Sequence, residues 1–219
     1  MTDSALSQLL GLAIGTALVC AYVVLWRSRL ISIVRAIAVQ GAAVAVVALT
    51  LGLHEHSVEP VAAAVGVFAL KAVIIPMLLA RWIRQSEELR EVDPLINIPA
   101  SLLAGGLLTL FVYATARQVA NLGSDSASRA VPAAIAIVML GLLVMTIRRK
   151  AVTQVAGFLL LENGIALVAF LTTSGLPLLI ELGGALDLLL VVLVLHVLAG
   201  RMVSAFGATD LNQLQELRD

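Results

Sequence analysis

The sequence predicts an all-α protein: a polytopic transmembrane helical bundle of about seven spans. Three observations carry this expectation. Hydrophobic residues fill 61% of the 219 positions and charged residues only 13%, whereas a soluble domain is about half apolar and about a quarter charged. The apolar residues are gathered into continuous stretches of about 20, the length a helix needs to cross the hydrocarbon core. These stretches are rich in Leu and Ala and lack the polar/apolar alternation that a transmembrane barrel requires.

Seven stretches qualify, at roughly 5–26, 31–53, 60–82, 97–119, 130–147, 151–173 and 176–200. The first follows MTDSALSQLL, which has no basic n-region and no A-x-A-like cleavage site, so it reads as a retained span rather than a removed leader. The second carries Gln40, the third Lys71 and Pro76, the sixth Glu162 and the seventh Asp187. The longest connection, IRQSEELREVDPLI at 83–96, is too short for a soluble domain.

Arg and Lys near span ends set orientation. Arg27, Arg29, Arg35, Arg81, Arg84, Arg90, Arg148, Arg149, Lys150, Arg201 and Arg218, eleven of the fourteen basic residues, fall on one side; only Arg117 and Arg129 fall in the alternate loops. The basic side is expected to be cytoplasmic, with the N-terminus out and the C-terminus in. The predicted setting is therefore the cell inner (cytoplasmic) membrane, crossed many times.

An internal pattern divides the chain further. Arg27 precedes Gln40 by thirteen positions and Arg149 precedes Glu162 by thirteen, and "ALKAVIIP" stands where "ALDLLLVV" stands, aligning Lys71 with Asp187. Two parallel three-helix units account for this pattern, and so does shared membrane composition. On the repeat reading, 1–96 is an N-terminal three-helix unit, 97–129 a linking span and outer loop, and 130–219 a second three-helix unit with a cytoplasmic tail.

Several function classes drop out early. Net charge is zero, which removes the electrostatic case for nucleic acid. One cysteine, Cys20, excludes a disulfide framework and any iron–sulfur or multi-cysteine zinc site. His54-Glu55-His56 offers only two histidines and reads as a solvated turn rather than a metal centre. No metal or cofactor is expected on this chain.

What remains are ionisable residues inside apolar spans. Lys71, Glu162 and Asp187 lie near mid-span; at 1.5 Å per residue Glu162 is roughly 16 Å into a core about 30 Å thick. An acid or lysine at a helix centre costs about 2.5–3.5 kcal/mol on insertion scales, so such residues face the protein interior or a wet cavity. Two readings fit them. One is a static ion pair that fixes packing. The other is a proton relay, because a carboxyl without a fixed cation favours its neutral form when desolvated and can then take and release a proton. Glu181, at the outer end of span 7, is a cavity-mouth acid or a solvated helix end, and it lies about 240° around the helix from Asp187. The "GGAL" between these acids lets a neighbouring helix come close. His196, nine residues beyond Asp187, is a relay exit or a packed, hydrogen-bonded histidine.

"LLLENG" around Glu162, "ELGGALD" ending at Asp187, "LKAVIIP" with Lys71 and Pro76, and the tail "TDLNQLQELRD" together resemble the hydrogenase-4 component E family, over nearly the whole chain. Those proteins are membrane subunits of hydrogenase-4 and formate-hydrogenlyase-type complexes. Spans 5–7 are also similar to the K subunit of respiratory complex I and to the C subunit of Mrp-type antiporters. Glu162 matches the first membrane acid of the K subunit and Asp187 the second, where that subunit has Glu. The resemblance implies a seat in a complex I-like assembly, beside large antiporter-like subunits on a hydrophilic path along the membrane. It also implies that hydrogen chemistry belongs to a separate nickel–iron subunit.

Three functions are thus weighed: a proton-relaying, non-catalytic subunit of an oxidoreductase complex, with Lys71, Glu181 and His196 extending the path through Glu162 and Asp187; a scaffold subunit whose acids only pack; and a self-contained small ion transporter.

Overall fold

The computed structural model describes residues 3–54, 64–85, 96–120, 127–149 and 151–172, together with Gly184 and Leu189. Among the described residues the regular structure is helical. Six long helices follow in order: α1 (Asp3–Trp26), α2 (Leu30–His54), α3 (Ala64–Arg84), α4 (Ile98–Ala120), α5 (Val131–Ile147) and α6 (Ala151–Thr172). Each contains a stretch long and apolar enough to cross a membrane. They coincide with the first six expected spans. The seventh, 176–200, lies outside the described residues apart from Gly184 and Leu189, and so do Glu181, Asp187 and His196.

Helices α1, α5 and α6 are apolar on all sides, the pattern of a helix surrounded by protein or lipid rather than lying at a water interface. The outward faces of α1 and α4 agree. Leu12, Leu103, Leu110 and Phe111 are each more than 60% exposed, an arrangement that would drive association in water but suits contact with acyl chains. Local signals set the helix ends. Asn97 caps α4, its Oδ1 accepting from Ala100 N at 3.0 Å, and Pro132 sits in the first turn of α5, where its missing N–H is not needed.

Close backbone approach holds the bundle together. Helices α5 and α6, joined by a three-residue connection, share the most extensive interface among the described residues. A Cβ on Gly141 would lie 2.6 Å from Leu161 N, and one on Gly164 2.7 Å from Val138 N. Lipid gives helices no hydrophobic reason to associate, so such small-residue contacts supply the dispersion that does. Helix α2 packs on α1, α6 and α3, while α4 is peripheral, resting on α5 and α1. Tyr22 ties α1 to α4 through its hydroxyl, 2.7 Å from Thr109 Oγ1 and donating to Gly105 O at 3.2 Å.

Arg148 joins the start of the chain to its second half. It is 2% exposed, and its Nη2 donates to Val24 O (3.2 Å), Leu25 O (2.9 Å) and Arg27 O (3.2 Å). The last carbonyls of α1 have no intrahelical donor, and a cation beside them also opposes the negative end of the helix dipole. The sequence marks Arg148 only as an orientation charge; the fold uses it as a helix cap supplied from α5. The contact places the basic loops after α1 and α5 at one end of the bundle.

Candidate functional site

The third helix is not regular. Residues Phe68–Ile74 form a π-helical stretch, in which Ile75 N–H bonds Leu70 O five residues back, before the α-helix Ile75–Gln85 resumes. Pro76 explains the position of the change. It offers no N–H to the preceding turn, and its ring crowds the carbonyl four residues earlier. A proline inside a helix usually kinks it; here the structure resolves the conflict as a widened turn with Lys71 at its centre. Widenings of this kind recur at functional sites.

Lys71 from this turn reaches α6. Its Nζ lies 2.7 Å from Glu162 Oε1, with the two side chains 2% and 17% exposed. Two charges that the sequence places 91 positions apart are therefore partners near the middle of the bundle. At this distance and an effective dielectric of about 20, their gross attraction is about 6 kcal/mol. Placing two charges at membrane depth costs a similar amount, about 2.5–3.5 kcal/mol each. The pair thus roughly breaks even as a device for stability. It nonetheless makes α3 and α6 depend on each other's charge: a proton on Glu162 removes the attraction that holds Lys71.

Helix α2 completes the site. Gly41 lets it touch the widened turn, where a Cβ would sit 2.6 Å from Lys71 O and 2.7 Å from Lys71 C. Next to Gly41, Gln40 is fully buried. Its Nε2 donates to Ala17 O of α1 at 3.3 Å, and its Oε1 accepts from Asn163 Nδ2 of α6 at 3.0 Å. Gln40 thus bonds across helices to both α1 and α6, the latter through the residue that follows Glu162. Gly184 also lies at the site; a Cβ there would be 3.9 Å from Glu162 Oε1. The "GGAL" segment thus contributes one described position facing the acid.

Two participants, Asn163 and Gly41, are not singled out by the sequence. Asn163 appears there only within a family triplet, although an amide beside an acid in an apolar run is itself a signal of buried polarity. Gly41 has no signal of its own beyond its position next to Gln40. The pairing of Lys71 with Glu162 had no local signal.

These features define a polytopic helical membrane protein with a polar centre, a buried ion pair and an amide pair, shared by α1, α2, α3 and α6. The chain belongs to the family of a Mycobacterium tuberculosis protein described as uncharacterized protein Rv0085, to which it is 44% identical over 220 residues spanning 100% of both chains. It is also similar, at 26% identity over 151 residues, to hydrogenase-4 component E of Escherichia coli strain K12, covering 69% of this chain and 70% of that protein. The component E of Shigella flexneri matches to the same extent. No family profile matches the chain, and no solved structure matches it.

Proposed function

We propose that the chain is an integral membrane subunit of a hydrogenase-4 or formate-hydrogenlyase-type complex, related to respiratory complex I, and that it contributes buried carboxylates to a proton-translocation path beside antiporter-like subunits. The observation that carries this reading is the 2.7 Å contact between Lys71 and Glu162 across two helices; because Glu162 has a cation beside it, a relay through it requires Lys71 to leave as the proton arrives. The distant likeness to hydrogenase-4 component E supplies the kind of complex. Glu162 is the central relay group and Lys71 its electrostatic partner, while Asp187, Glu181 and His196 extend the path. The chain has seven spans, N-terminus out and C-terminus in, in the inner membrane. Its two three-helix units, 1–96 and 130–219, flank the linking segment 97–129.

A relay group must change protonation, and the pair supplies a consequence when it does. With Glu162 ionised, Lys71 is held to α6. With Glu162 protonated, the charge on Lys71 is free to favour another acid. Proton uptake is thereby coupled to the position of a cation.

The test is proton translocation by the assembled complex carrying Glu162→Gln, Asp187→Asn or both. The expected result is a complex of normal composition that turns over with translocation lost. Unchanged coupling in the assembled double variant refutes the relay.

The same 2.7 Å contact also favours a second reading, a scaffold in which the pair only fixes packing. In that case the substitutions impair assembly, seen on blue-native gels, with no separate coupling defect in whatever complex does assemble.

A further inference from the structure

The two buried amides carry a constraint of their own. Ala17 O can only accept, so Gln40 must present its NH2 group to it, as observed at 3.3 Å. Gln40 Oε1 is then the atom facing α6, and Asn163 must present its own NH2 group, as observed at 3.0 Å. Reversing Asn163 alone would set oxygen against oxygen. Reversing both would set Gln40 Oε1 against the Ala17 carbonyl. The main-chain carbonyl of α1 therefore fixes both orientations, and Asn163 Oδ1 is directed away from the pair.

That oxygen is buried in a residue 2% exposed and, among the described residues, accepts no hydrogen bond. Buried acceptors in folded proteins are almost always satisfied by protein or by ordered water, and each exception calls for an explanation. Oxygen accepting at a fixed angle, inside a bundle with a second polar cluster on the preceding residue, fits a small neutral donor.

We propose that Asn163 Oδ1 binds a buried water molecule, its orientation fixed by the Ala17–Gln40–Asn163 chain. Asn163 is a positioning residue: it acts through the water and not on Glu162 directly. The water site stands on the amide geometry; only its use as a proton donor or acceptor for Glu162 rests on the relay reading.

The experiment is solid-state NMR of the full chain in lipid bilayers, with 13C-carbonyl Glu and uniformly 13C,15N-labelled Asn. Glu162–Asn163 is the only Glu-Asn pair in the sequence, so the label isolates one backbone amide, and the intraresidue correlation assigns its side-chain NH2. Magnetisation transfer from water to that NH2 is the readout. The expected result is transfer as strong as that of groups at the water-exposed ends, despite full burial, and its loss in Gln40→Leu, where the orienting chain is cut. A signal as dry as that of buried apolar side chains in the unaltered chain overturns the proposal. So does transfer that persists unchanged in a folded Gln40→Leu variant. Because the readout needs no turnover, a wet Asn163 in a complex whose translocation is unaffected by Glu162→Gln would sink the relay and leave the water site intact.

Discussion

Glu162→Leu lowers the stability of the folded bundle by about 3–5 kcal/mol, the loss typical when one partner of a buried ion pair is removed. Lys71→Met introduced into the same chain restores most of it. The reason is the balance of terms at the site. The attraction across 2.7 Å is offset by the cost of bringing both charges to membrane depth, so removing both charges is close to neutral. Removing one leaves the other charge in a low-dielectric interior without its 2.7 Å contact. Unfolding in mixed detergent micelles, run on the two single variants and the double variant, measures the coupling directly. A pair contributing nothing would give additive losses, since independent sites add.

Gly41→Val has an effect of comparable size through geometry alone. Its Cβ would meet the main-chain oxygen and carbon of Lys71 at 2.6 and 2.7 Å, and main chain cannot swing aside as a flexible side chain can. Helix α2 must move off α3 at the widened turn. Overpacking of this kind typically costs about 1–3 kcal/mol and occasionally more, and here it also shifts the helix that carries Gln40. Gly11→Val is the control, because nothing lies within 4 Å of a Cβ at that position. A lower thermal midpoint for Gly41→Val, with Gly11→Val near the parent, is the expected outcome. Equal midpoints would mean that α2 and α3 are not held in contact.

Helix existence was legible because the signal is long and local. Six spans could be placed from runs of about 20 apolar residues, with no knowledge of what each one touches. The candidate site was legible only in its parts. Lys71 and Glu162 stand out as charges in apolar runs, but their pairing depends on which faces of α3 and α6 meet, which hydropathy does not encode when helices are apolar all round. Pro76 announces a disturbed helix, yet whether it kinks or widens the turn depends on Gly41 of α2 making room. Arg148 shows a different limit. A basic residue at a span end reads as solvated, and nothing in its neighbourhood tells that the carbonyls it bonds belong to a helix more than 120 positions earlier. Asn163 reads as a companion of Glu162, and its own role emerges only once Gln40 and Ala17 are set against it.

The central claim is that Glu162 changes protonation while the complex works. Infrared difference spectroscopy of the assembled complex, recorded between resting and turnover conditions, tests it most directly. The account predicts a carbonyl-stretch band of a protonated carboxyl that appears during turnover, shifts in deuterated water and is missing in Glu162→Gln. A complex that translocates protons while Glu162 stays ionised, with no carboxyl band assignable to it, would contradict the account.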